Sequence, residues 1–273
     1  MYGINVLARQ RVAWLMVPAV LVFFTLDAHG ESDRERYRNA LKSYEWLLQN
    51  AITQNSIDYV YLQRNQSVLD HYLYVLGRIP YDNLQKNERL ALVVNAYNAF
   101  VLRLILDYWP HIRSMTDIPD YPLPRRWKDQ RWMFDGKRIS LIDLKYKYLR
   151  PLKNPIAYLS LYCGAVSCPD MPPHVYRASI IDKQLDESAK RFLAQKKGMT
   201  WRISDPLLGK PRPMVYVSQL FRDYEDVFFV NGYSILAFVE EFAPQAFKAF
   251  LSEHKDKIRV NYLRFHWTVN GIR

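Results

Sequence analysis

Cysteine is almost missing from this chain, glycine is scarce, acidic residues are in deficit, and no apolar run is long enough to cross a bilayer. Two cysteines in 273 residues leave room for one pair and no disulfide framework. Nine glycines beside 20 tyrosines and 15% aromatic residues exclude a flexible or low-complexity chain, and no internal repeat is visible. No phosphate-cradling loop, dinucleotide fingerprint, paired-histidine metalloprotease helix or Gly-x-Ser-x-Gly elbow occurs, which sets aside kinase, dehydrogenase and serine hydrolase readings. The shortage of acids gives a net charge of +11. Such a field favours anionic partners.

The first thirty residues read as a signal peptide. Arg9 and Arg11 precede the apolar run Val12 to Leu26, and Ala28 and Gly30 supply the small residues that a signal peptidase reads. The run is shorter than the roughly 20 apolar residues of a membrane span and contains Pro18. The expected mature chain starts at Glu31, carries no transmembrane segment and works in the periplasm or cell envelope. Loss of Arg9, Arg11 and Asp27 lowers its net charge only from +11 to +10. The partners this suggests are an anionic envelope polymer, lipid head groups or an envelope protein, and the location argues against nucleic acid. Arg125, Arg126 and Trp127 mix charge and aromatic surface as a binding patch does, although a solvated loop before a hairpin has the same composition.

Along the mature chain, Tyr37, Leu41, Tyr44, Leu47 and Leu48 form the stripe of an amphipathic first helix over Ser32 to Ile52. An extended piece is expected at Ile57 to Leu62 and a helix from Ser67 to Leu76. Asn87 to Trp109 is so apolar that it predicts a central, enclosed helix. Asn95 and Asn98 should be buried in it with hydrogen-bonding partners. Asp135-Gly136 between Trp132–Phe134 and Lys137–Ile139 signals a tight hairpin, and Ser140 with Asp143 opens a short helix to Leu149. Ile156 to Tyr162 reads as a buried strand leading into a cysteine loop. Ser179 opens a helix to Gln195. Strands are expected at Thr200 to Ser204 and Met214 to Ser218, and helices at Tyr233 to Phe242 and Gln245 to His254. The class is α+β, a helix-rich single domain over 31–273 with a central buried helix and a small antiparallel sheet.

Taken together, Ile57-Asp58-Tyr59, the NAYNAF stretch from Asn95, Ile139-Ser140-Leu141, CGAVSCP at 163–169, Leu185 to Leu193 and Trp267-Thr268-Val269-Asn270 resemble the bacterial domain of unknown function 547. The resemblance follows nearly the whole mature chain, with its motif core at about 87–196, and implies an envelope-type member but no reaction. The family pattern differs at four positions: Glu-His stands where this chain has Lys145-Tyr146, His where it has Tyr158, and Asp where it has His266. All four involve groups that move protons.

The chemistry therefore centres on Cys163 and Cys168, five residues apart. One reading is a local disulfide in an oxidising compartment. A second is a nucleophilic Cys168 aided by His174 or His266 and oriented by Asn95 or Asn98, the latter also a candidate binding residue, as in thiol hydrolases and acyl transferases. A third takes Cys163, Cys168 and His174 as soft metal ligands, one short of the usual four. The first is favoured. No metal site or cofactor is expected, and the function favoured is a noncatalytic binding or structural domain, with a cysteine-dependent hydrolase or acyl transferase as the alternative.

Overall fold

The apolar stretch at the middle of the chain forms a helix, Lys86–Leu106, in which every residue from Leu90 to Leu106 except Arg103 is buried. Its start is fixed by a capping box in which Gln85 N–H donates to Glu88. Arg103 keeps its charge at the edge by pairing with Asp70 and Asp107. Contrary to the expectation that no apolar run is long enough, this helix could cross a membrane by length and hydropathy, but 89% of its apolar window is buried inside the protein. It is therefore the core around which the rest packs. The computed structural model describes residues 32–53, 56–119, 125–205, 210–228, 234–254 and 257–271. The expected signal peptide and the start at Glu31 lie outside them.

Helix Asp33–Ala51 lays Tyr44, Leu47 and Leu48 against helix Gln66–Leu76, with Tyr44 stacked on Tyr72 at 4.3 Å between ring centroids. That second helix packs in turn on the central one. The piece expected to be extended at Ile57 to Leu62 is so only at Ser56–Ile57, which pairs with Ile52–Thr53. Asp58 accepts a hydrogen bond from Tyr61 N–H and starts a helix, Tyr59–Arg64, so an N-cap overrides the alternating pattern.

The Asp-Gly hairpin forms as expected, pairing Trp132 with Ile139 and Phe134 with Lys137. Asp135 and Gly136 both take positive φ, 52° and 67°, which a tight two-residue turn requires. Ser140 and Asp143 then form their capping box, and the helix widens into a π-helical turn over Leu144–Leu149. Such turns often accompany functional sites.

Burial works against the charge of Asp143. Lys147, the Ser140 N–H and the Ser140 hydroxyl more than offset it and depress its pKa to about 2. A depressed carboxylate contributes stability that is complete above its unfolded pKa, near 4, and is lost as pH falls through its folded value. Asp143→Ala is therefore expected to cost about 1 kcal/mol above pH ~4.5. Thermal melts of the two proteins should converge between pH ~4 and ~2. A gap that stays constant down to pH ~2 would remove the ionised cap from the account.

The strand expected over Ile156 to Tyr162 is instead a 3₁₀ helix, Pro155–Ser160. Asn154 caps it by accepting Ala157 N–H, and Pro155 supplies the helical φ of its first turn, so these two residues override the β-rich composition that follows. Helix Ile181–Leu193 then packs on that 3₁₀ segment, followed by strands Met199–Ser204 and Arg212–Val217, paired antiparallel as expected. Helices Ile235–Phe242 and Gln245–His254 follow. A third strand not expected from the sequence, Arg259–Tyr262, joins Arg212–Val217 in parallel. The α+β, helix-rich class holds, with one parallel pairing added to small antiparallel sheets.

Candidate functional site

The two central asparagines position the cysteine loop. Asn98 Nδ2 donates to Ser160 O at 3.1 Å, and its Oδ1 accepts Tyr162 N–H at 2.8 Å. Asn95 makes the same two-way contact with Tyr176, at 2.8 Å each way. Both are buried, as expected, and each clasps backbone rather than another side chain. Neither bonds the loop itself. They clamp the chain on either side of it.

Within the loop, Cys163 and Cys168 lie at disulfide-bonding distance, with Cα atoms 5.6 Å apart. Cys168 is fully buried and accepts Ala165 N–H at its sulfur. The loop is joined to the end of the chain by an antiparallel bridge between Ala165 and Val269 and by hydrogen bonds Val166 N–H to Thr268 O, Asn270 N–H to Gly164 O, and His266 N–H to Ser167 Oγ. The other side of this terminal segment is held by Met115 N–H to Trp267 O and Val269 N–H to Arg113 O. CGAVSCP and WTVN, far apart in sequence, are thus one structural unit.

The two candidate histidines differ in setting. His174 is half-buried with its ring edge-on to Tyr176, and burial first, then Arg191, lower its pKa, so it is a neutral imidazole near pH 7. His266 is exposed, and the contact that ties it to the cysteine loop is made by its backbone N–H. Among the described residues, no three His, Cys, Asp or Glu side chains gather as metal ligands. Arg125 and Arg126 begin a four-residue helix, Arg125–Lys128, where a loop was expected, and their side chains lie outside the described residues. Trp127 packs partly buried against the core, which leaves less of its ring for stacking.

The four positions expected to depart from the resemblance, Lys145, Tyr146, Tyr158 and His266, fall in two places. Lys145, on the π-helical turn, is mostly enclosed and donates from Nζ to Tyr224 Oη at 2.8 Å, with the Tyr97 and Tyr224 rings beneath it. Burial works against its charge, but these two tyrosines more than offset that and raise its pKa above an ordinary lysine's. Tyr158 packs on Tyr224 with centroids 5.0 Å apart, and burial pushes its pKa up, so both groups hold their protons at neutral pH. Tyr146 and Tyr158 line a cleft of about 530 Å³ floored by Phe228, Phe238 and Phe242. No spacing rule links Tyr97, Lys145, Tyr158 and Tyr224, and sequence reasoning missed the cluster. A second cleft, about 370 Å³, adjoins the cysteine loop and includes His266 and Ser167.

A model of the family described as "Protein of unknown function, DUF547" matches residues 81–193. The matched stretch holds the central helix, both asparagines, the cysteine loop and His174, and stops short of the terminal segment that carries His266. No curated protein and no solved structure matches the chain.

Proposed function

Residues 81–193 belong to the domain of unknown function 547 family, and from that premise we propose that the protein is an exported, noncatalytic envelope domain. In this reading it binds an anionic partner, and the cysteine loop is a structural clip. One observation carries it. Cys163 and Cys168 lie at bonding distance, with Cys168 fully buried. A bonded sulfur offers no thiolate, and the hydrogen bond that Cys168 Sγ accepts comes from the backbone N–H of Ala165. A strongly basic mature chain supports an anionic partner, whether an envelope polymer, lipid head groups or an acidic envelope protein.

The test is the intact mass of protein recovered from the periplasm in the presence of a thiol-blocking reagent. The expected mass begins at Glu31, carries no alkyl group and is two hydrogens short of the dithiol. Reduction should then lower stability by about 2 kcal/mol, the loop-closure entropy of so short a ring. The reduced Cys168 should alkylate with an ordinary thiol's pH dependence. Fast labelling near pH 5 that disappears in His174→Ala or His266→Ala would replace this reading with the cysteine hydrolase or acyl transferase. A mass retaining residues 1–30 would make the N-terminus an anchor.

A further inference from the structure

We propose that the cleft beside the cysteine loop binds a phosphate group, carried on a small soluble molecule or on one unit of a soluble polymer. The proposal rests on the reading above that this is a binding domain, and it adds the site and the chemistry. Lys196, Lys197, Arg264 and His266 line the cleft together with Ser167 and Ser218, and no Asp or Glu does. Two carboxylates bonded to lining residues are already engaged: Asp170 accepts from Lys197 and Gln195, and Asp223 faces Gln219. Lys197 is therefore neutralised by its partner. Lys196 and Arg264 are exposed cations for which the described residues supply no carboxylate, and the imidazole of His266 stands beside them.

Two hydroxyls complete the donor set. Ser167 Oγ accepts His266 N–H at 2.9 Å, and Ser218 Oγ accepts Leu220 N–H at 3.3 Å, so each keeps its own O–H to donate. Both serines are buried, at 7% and 1% exposure, so their positions are fixed before a ligand arrives. Two permanent cations, an imidazole and two hydroxyl donors suit a doubly charged group with several acceptor oxygens better than a single carboxylate. The guanidinium of Arg264 adds the planar fork that pairs two phosphate oxygens at once. A volume near 370 Å³ admits one sugar phosphate and no folded partner. Because Ser167 lies between the two cysteines, the clip holds one wall of the cleft and the backbone of His266.

The test is calorimetric titration of the mature protein, in low-salt buffer, with inorganic phosphate and glucose 6-phosphate, and with acetate as the carboxylate comparator. One saturable site is expected for both phosphates, with acetate much weaker. Arg264→Ala and Lys196→Ala should each weaken binding by about ten-fold, the worth of one charge-assisted contact. Lys86→Ala removes the same charge from an exposed position at the start of the central helix and should change nothing. Ser167→Ala, with folding checked by thermal melt, should weaken binding less than the loss of either cation. Equal weakening by Lys86→Ala would overturn the site in favour of a diffuse field. Absence of heat with either phosphate also overturns it, as does binding only to phosphatidylglycerol vesicles in a sedimentation assay, which would point to a membrane surface. The thiol-blocking result stands whichever way the titration falls, so failure of the site and failure of the noncatalytic reading are separate outcomes.

Discussion

Replacing Asn98 by leucine is expected to destabilise the protein by about 2–5 kcal/mol, far more than the change in volume accounts for. The amide makes two hydrogen bonds, to Ser160 O and from Tyr162 N–H, and both residues are essentially inaccessible to water, at 1% and 0% exposure. Leucine fits an apolar helix and fills similar space, so the cost comes from the partners it abandons. A buried backbone group left without a partner costs about 1–3 kcal/mol, and here there are two. Asn95→Leu should behave alike, because it strands both backbone polar groups of Tyr176. The effect should appear in the loops more than in the helix: exchange protection should fall at Tyr162 and Tyr176 before it falls at Val94 or Val101. Urea unfolding under non-reducing conditions measures the total. A loss below about 1 kcal/mol would mean that water or relaxed backbone replaces the amide, and the asparagines would then be passengers in the core.

The clasp is half legible in the sequence. That Asn95 and Asn98 are buried follows from the apolar residues on every side of their helix, and that they need partners follows from burial. Which partners they find depends on the path of the chain around Tyr158, where composition points to a strand and an Asn154-Pro155 cap makes a 3₁₀ helix instead. The Asp135-Gly136 turn and the Ser140–Asp143 box are readable because their chemistry is local. Strand Arg259–Tyr262 is not, since it is short and pairs in parallel across the four described helices that separate it from Arg212–Val217. Of the Lys145 cluster, only Lys145 and Tyr158 stand out in the sequence, through the resemblance, and nothing there brings in Tyr97 or Tyr224. Its members come from the central helix, the π-helical turn, the 3₁₀ segment and the chain after strand Arg212–Val217, and only the fold brings them together. His174 and His266 look equivalent in sequence as partners for a thiol. The structure separates them, one half-buried and neutral, the other exposed and tied to the loop through its backbone.

The same loop supplies the second large effect. Gly164 takes φ +85°, a conformation that L side chains rarely adopt, and a Cβ at this position would stand 2.5 Å from Met115 Sδ, 2.9 Å from Met115 Cε and 3.0 Å from Ile105 Cδ1. Met115 and Ile105 are fully buried, so neither can swing aside into solvent. Gly164→Ala therefore combines a backbone cost of about 1–2 kcal/mol with an overpacking cost of about 1–3 kcal/mol. Gly136 provides the control, since its φ is +67° and a methyl there would meet nothing within 4 Å, so Gly136→Ala should show the backbone cost alone. Gly164 O also accepts Asn270 N–H, so a displaced loop should loosen the terminal segment and raise exchange at Val166, Val269 and Asn270. Adding Met115→Ala to Gly164→Ala should return the steric part and leave the backbone part, a favourable coupling of about 1–2 kcal/mol in a double-mutant cycle. If Gly164→Ala costs no more than Gly136→Ala, Met115 yields to the new methyl, and the cysteine loop is not held against the central helix as tightly as its contacts indicate.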